Sequence, residues 1–340
     1  MAVYKTEHGF QIKSRSSAPS NLYEGEIWYN TTTQTLKVSP LIEAFASGGN
    51  MPQGIARGHT SGTQTAALMH HGALGGGDQP NDNKTFEYDG SSWTAGGNVS
   101  NMMRVMGGSG TQTDAMGFGG AYNPIHPAFH PTNSPHVGTE SYNGTSWTAE
   151  ANYPRANTGA SGCGAGQTAT LSFGGNSTTA TTDETYEYNG TAWSEEGDTN
   201  LVAYGIGGAG TSTAALKTGR YDPVGPATNQ AEEYNGTSWT NVNASTLSRS
   251  NNWGTGGPQT AAYSVGGYVP GGPRTAVMES YDGTNWTTRS SMATARETGG
   301  AALTAPSETA FACGGMDASN YLTGCEEFSS TLSARSVDTS

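Results

Sequence analysis

The amino-acid sequence predicts an all-β chain built from repeated four-stranded units, and three observations predict it. A six-residue phrase occurs five times, as Tyr88-Asp89-Gly90-Ser91-Ser92-Trp93, Tyr142-Asn143-Gly144-Thr145-Ser146-Trp147, Tyr188-Asn189-Gly190-Thr191-Ala192-Trp193, Tyr234-Asn235-Gly236-Thr237-Ser238-Trp239 and Tyr281-Asp282-Gly283-Thr284-Asn285-Trp286. Its tyrosines are 54, 46, 46 and 47 residues apart. In β-rich sequence such a period marks stacked or radial units, with a propeller blade as the leading candidate. Fifty glycines and only 13% charged residues favour many short strands and tight turns over a helical enzyme.

In chain order, residues 1–48 lie outside the repeat. Glu26-Ile27-Trp28-Tyr29 and Thr35-Leu36-Lys37-Val38 alternate in polarity about a turn at Asn30 to Thr33, which predicts a hairpin. A lone hairpin is marginal in water, so Ile27, Trp28, Tyr29, Leu36 and Val38 are expected to pack on the propeller, a symmetry mate or another protein. Ser39 to Asn50, with Pro40 and Gly48-Gly49, reads as a linker.

The repeat fills residues 51–340. A basic residue introduces most units, at Arg57, Arg104, Arg155, Arg249 and Arg296. A glycine-rich first strand follows, then a short turn such as Gly62-Thr63-Gln64 and a second strand ending in Gly-Gly. A variable loop leads to a third strand with Glu and Tyr, an Asn-Gly or Asp-Gly turn, and a fourth strand with Trp. Asn-Gly and Asp-Gly predict type I′ turns, with positive φ at both central positions. Small residues suit innermost strands that converge on an axis, while Tyr and Trp fill the widening wedges between blades. Third strands number six. The last, Glu326-Glu327-Phe328, has Phe for Tyr, Ser329-Ser330 for Asn-Gly and no Trp after it. Its fourth strand comes either from Thr331 to Val337 or from the N-terminal segment.

A formal charge of −13 argues against nucleic acid and anionic membrane as partners. No run approaches the ~20 apolar residues of a membrane span, and Met1-Ala2-Val3-Tyr4-Lys5 leads into polar sequence unlike a signal peptide, which predicts assembly in a cytoplasm without membrane insertion. Three cysteines make no disulfide framework; Cys163, Cys313 and Cys325 read as small buried thiols, with one bridge open if Cys313 and Cys325 face each other.

Residues that recur in every unit are most economically scaffold, so specific function is expected where the pattern breaks. The breaks fall on the loops between second and third strands, which share one face of the ring. That face offers Tyr122, His126, Phe129, His130, Tyr221 and Tyr268 as candidate receptor-binding residues. His126 and His130 would need a helix to align on a metal, and Pro124, Pro127 and Pro131 oppose one, so no metal is expected there. The histidines of His70-His71 are expected to alternate in and out of a strand, one lining the core or channel. With no nucleophile elbow, phosphate loop, zinc spacing or carboxylate pair, neither cofactor nor enzyme activity is expected.

The order Arg, Gly-Gly, Glu-Tyr, Trp resembles the kelch repeat across residues 51–340. The resemblance implies a six-bladed kelch-like β-propeller, preceded by a small N-terminal β-hairpin attachment segment. Some kelch propellers are copper radical oxidases with a Cys-Tyr pair and two His ligands; nothing around Cys163 matches that set. Gly25-Glu26-Ile27-Trp28-Tyr29-Asn30 with Thr35-Leu36-Lys37-Val38, and Gln-Thr-Ala before second strands, are similar to virion proteins of tailed bacteriophages. That similarity implies a non-enzymatic virion structural protein of the tail or tail fibre, a homo-oligomer in the particle. Residues 1–48 would attach it to other virion proteins, and the propeller would recognise a host-surface glycan or protein. The alternatives are a purely architectural tail or capsid decoration protein and a polysaccharide-active enzyme.

Overall fold

A computed structural model describes residues 12–74, 83–121, 135–222, 225–252, 254–297 and 299–337. The chain forms two compact units. The larger is Phe45–Phe328; the smaller joins the described residues up to Ala44 with those from Ser329 onward.

The larger unit is a ring of six four-stranded antiparallel sheets. Their innermost strands are His59–Thr63, Gly107–Gly110, Ser161–Gly166, Gly207–Thr211, Thr255–Gly256 and Gly300–Ala301. Each neighbours the next, and the last neighbours the first. Glycine makes this approach possible: a Cβ on Gly162 would sit 2.6 Å from the Gly108 carbonyl oxygen of the adjacent blade.

A second ring of contacts is made by backbone alone. Gly72 N donates to Met103 O (2.8 Å), Gly120 N to Asn157 O (2.8 Å), Gly175 N to Ala203 O (2.7 Å), Arg220 N to Arg249 O (3.3 Å), Gly267 N to Arg296 O (2.8 Å) and Gly315 N to Ile55 O (2.7 Å). The sixth bond returns to the first blade, so the circle is closed by the same interaction throughout.

The sixth sheet resolves the question of its missing strand. Its order ends on Leu41–Ser47, which the sequence had suggested was linker. Phe45 packs on Phe328 at 5.2 Å between ring centres, and Gly48 N donates to Cys325 O. The C-terminal alternative goes elsewhere: Arg335–Ser336 pairs with Thr35–Val38 in the smaller unit.

The recurring phrase forms a longer turn than type I′. Tyr142 pairs directly with Trp147, so four residues make each loop. Gly144 alone takes positive φ (86°), while Asn143 Oδ1 accepts the N–H groups of Thr145 (3.0 Å) and Ser146 (2.9 Å). The Asn or Asp is selected for this side-chain cap, not for a left-handed backbone. The same bonds on Asp89 hold its carboxyl down to about 2, chiefly through the Ser92 N–H.

One further expectation is corrected, and one alternative left open by the sequence is decided. The five arginines are not one structural position: the residue bridged across from the Gly-Gly exit is Arg104 in the second blade but Ala56, Thr158, Ser250 and Glu297 elsewhere. Only Arg249 and Arg296, each one residue earlier, are equivalent. Cys313 and Cys325 face each other on paired strands and are bridged, whereas Cys163 is a free, buried thiol.

The smaller unit is a four-stranded sheet, ordered Lys13–Arg15, Ile27–Asn30, Thr35–Val38, Arg335–Ser336. The expected hairpin is its centre, with Ile27 opposite Val38 and Tyr29 opposite Leu36. Asn30 Oδ1 caps the turn by accepting from Thr32 N and Thr33 N. Trp28 is buried, Tyr29, Leu36 and Val38 are half-buried, and Ile27 is exposed.

Candidate recognition face

The seams between blades consume most recurring side chains. Four of the five tyrosine hydroxyls reach back to a carboxylate of the previous blade: Tyr142 to Glu87 (2.5 Å), Tyr188 to Glu150 (3.1 Å), Tyr281 to Glu233 (2.8 Å) and, across the closure, Tyr88 to Glu327 (2.6 Å). Burial and the carboxylate together raise Tyr88 and Tyr142 to about 12. Phe328 lacks a hydroxyl where the acceptor position one blade back, before Tyr281, is Ser280. Indole N–H groups do likewise: Trp147 donates to Thr85 Oγ1 and Trp239 to Thr185 Oγ1. The glutamine of the first turn is a staple. Gln112 Nε2 donates to the carbonyls of Ala67 and Tyr88, Gln259 to those of Ala215 and Tyr234, and Gln64 to those of Ala310 and Phe328.

Two residues before each Tyr or Phe, the third strand offers a second node. Glu140, Glu232, Glu279 and Glu326 are buried there and accept backbone N–H groups from the preceding connection, such as Ser100 and Asn101 on Glu140. Three have a fixed cation: Lys217 on Glu232 (2.7 Å), Arg249 on Glu279, and Arg296 on Glu326 (2.7 Å). Burial lowers both arginines from their ordinary value, and the glutamates oppose that. The first blade holds apolar Ile55 and Phe86 at the corresponding places. Glu140 instead faces a histidine, His71 Nε2, at 3.4 Å.

His71 belongs to a buried cluster. His70 Nδ1 and His71 Nδ1 lie 2.8 Å apart, and His59 packs on His70 at 5.4 Å between rings. Trp147 covers His70 and His71 at 4.9 and 5.3 Å. Burial, then the neighbouring histidines, pushes His59 down to about 3 and His70 well below its ordinary value. Both histidines of the pair are therefore internal, against the expected alternation. Among the described residues no group of His, Cys, Asp or Glu is arranged to hold a metal ion.

The opposite class of residues sits on the loops between second and third strands, which hairpin geometry gathers at one end of the blades with the inter-blade connections. Four of these loops begin in the same way, each zipped at the base to the connection beside it. Ala121 bridges Arg104 and Pro135, Tyr268 bridges Ser250 and Arg274, and Met316 bridges Glu297 and Tyr321. Beyond that base they diverge. The fourth blade extends its strands as Ala214–Asp222 and Gly225–Tyr234, with register shifts near Arg220. An ion pair absent from the sequence reading, Arg274 with Glu297 at 2.6 Å, ties the fifth loop to the next connection.

Of the candidate receptor residues, Tyr268 is half-buried at a loop base and Tyr221 lies in the extended fourth-blade strand. Tyr122, His126, Phe129 and His130 lie outside the described residues. His136, just after them, accepts the Gly138 N–H on Nδ1 at 2.8 Å.

No family model and no curated protein matches the chain. Among solved structures it is similar to YjhT, at 12% identity and a TM-score of 0.65, over 84% of this chain and 99% of that one. Six four-stranded antiparallel blades and this match together give the chain the kelch-type β-propeller fold.

Proposed function

We propose that the protein is a non-enzymatic structural and adhesive component of a tailed-phage virion, in the tail or tail fibre, whose loop face contacts the host surface. The observation that carries it is the division of labour within the ring. Recurring Tyr, Trp, Gln and buried Glu are spent on seams, and irregularity is concentrated on the loops of one face. A rigid scaffold with variable loops on one side suits recognition by surface complementarity. Many copies on one particle would turn weak contacts into firm adsorption.

The smaller unit supports an attachment role. The exposed large apolar residues among those described, Ile12, Tyr23, Ile27 and Val337, all lie in it. Apolar surface of this kind favours cover by other virion proteins. The Cys313–Cys325 bridge suits a working life outside the reducing cytoplasm in which the chain would be assembled.

Because Ala121 and Pro135 are bridged, residues 122–134 can be replaced by a short glycine turn without disturbing the blade. The replacement is expected to leave melting unchanged and to reduce adsorption of the purified protein to host cells at least about tenfold, about 1.4 kcal/mol. Adsorption at the parental level would remove this loop from the contact surface. Imaging of virions that finds the loop face packed against other particle proteins would favour the purely decorative alternative.

A further inference from the structure

We propose that His59, His70, His71 and Glu140 form an acid-operated release at the seam between the first and second blades. It would loosen the strand ends from which the first two loops of the recognition face leave. The inference rests on the preceding proposal only for what those loops would bind.

The node stands where three other blades use a permanent charge. Glu232, Glu279 and Glu326 each meet a lysine or arginine, whereas Glu140 meets an imidazole. His71 also takes a place that glycine holds in every other blade. Gly119, Gly174, Gly219, Gly266 and Gly314 have φ between 62 and 74°, and His71 sits at 55°. A histidine in left-handed backbone is strained, and such strain persists where the side chain has work to do.

The cluster has little room to accept protons while closed. A Cβ on Gly108 would lie 2.5 Å from the His59 ring, and one on Gly117 would lie 2.5 Å from Met106 and 3.2 Å from His71. The Nε2 atoms of His59 and His70 are buried without a hydrogen-bond partner. The titratable groups facing one another are the three histidines and Glu140, and among the described residues the causes that shift His59, His70 and Glu140 include no lysine or arginine.

The sign follows from burial. His59 and His70 are held neutral in the closed seam, so opening it lets them bind protons near their ordinary value of 6.5. The stability they contribute is complete above that pH and is lost as pH falls below 6.5, for His59 down to about 3. With two protons taken up, the open population rises by up to about 100-fold per pH unit. Between pH 6.5 and 5.5 carboxylates with ordinary or lowered values stay ionised, which isolates the histidines.

Hydrogen exchange of the full chain at pH 7.5, 6.5 and 5.5, corrected for the intrinsic rate, tests this directly. Peptides covering Ala66–His70 and Gly107–Gly110 are expected to lose at least tenfold protection from pH 6.5 to 5.5. Peptides covering Gly207–Thr211 and Tyr263–Val265 are expected to hold theirs. Equal change in all four, or none at the first seam, overturns the proposal. His59→Gln removes one of the two protons and should flatten the slope; an unchanged slope also overturns it. If that variant fails to fold, the comparison between blades of the wild-type chain still decides. Adsorption measured at pH 7.5 and 5.5 separates the two ideas: an acid-opened seam with pH-independent adsorption sinks the role of these loops and leaves the release standing.

Discussion

At the scale of single residues, the seams act as a pairing rule that runs through one chain. Where a blade supplies Glu87, Glu233 or Glu327, the next supplies Tyr142, Tyr281 or Tyr88 with its hydroxyl in reach. Serine takes that place twice: Ser141 holds Glu150, which accepts from Tyr188, whereas after Ser280 the sixth blade supplies Phe328. Phe328→Tyr alone should therefore bury a hydroxyl without its carboxylate and lower stability by about 1–2 kcal/mol in denaturant melts. Adding Ser280→Glu should recover about half of that or more; no recovery would show that the pairing is incidental. The substitution at Phe328 was visible in the sequence as an irregularity, but its cause was not, because the compensating Ser280 is 48 residues away in another sheet. The five arginines misled for a related reason: register is fixed by the bridge at the Gly-Gly exit, and a near-regular spacing of Arg57 to Arg296 hides shifts relative to it.

Among elements, the blade hairpin was legible and its turn was not. Asn-Gly announces a turn by composition, yet the four-residue loop follows from Asn143 Oδ1 capping two N–H groups, an alternative to the left-handed pair that the same letters permit. The extended fourth-blade strands were also missed, since Gly219, Gly225 and Pro226 read locally as loop. In the sequence Gln-Thr-Ala is legible only as a recurring string; in the fold its glutamine is a staple between neighbouring sheets. Gln112→Ala should leave the Ala67 and Tyr88 carbonyls with one bond fewer each and cost about 1–3 kcal/mol. A thermal melt unchanged within error would show that the staple contributes nothing net. The candidate site was legible as a face, because loop irregularity is a sequence property. The histidine cluster was not, because its Glu140 and Trp147 come from the neighbouring blade.

For the whole molecule, closure is the decisive feature, and the sequence left it as two alternatives. Leu41–Ser47 carries no local mark of its partner, since the residues that meet it lie at the far end of the repeat. Phe45→Asp places a charge against the Phe328 ring and should destabilise the ring by about 2 kcal/mol or more, with early proteolysis in the sixth blade. Cleavage appearing first in another blade would show that the seal lies elsewhere. The same feature sets an order of events during synthesis. A ribosome delivers Phe45 long before Phe328, so five blades emerge while their first-made strand still waits, unsatisfied, for its mate. At elongation of ~5–20 residues per second that vigil lasts tens of seconds. Slowed translation near the end of the message should therefore lower the yield of closed rings more than slowing near the beginning.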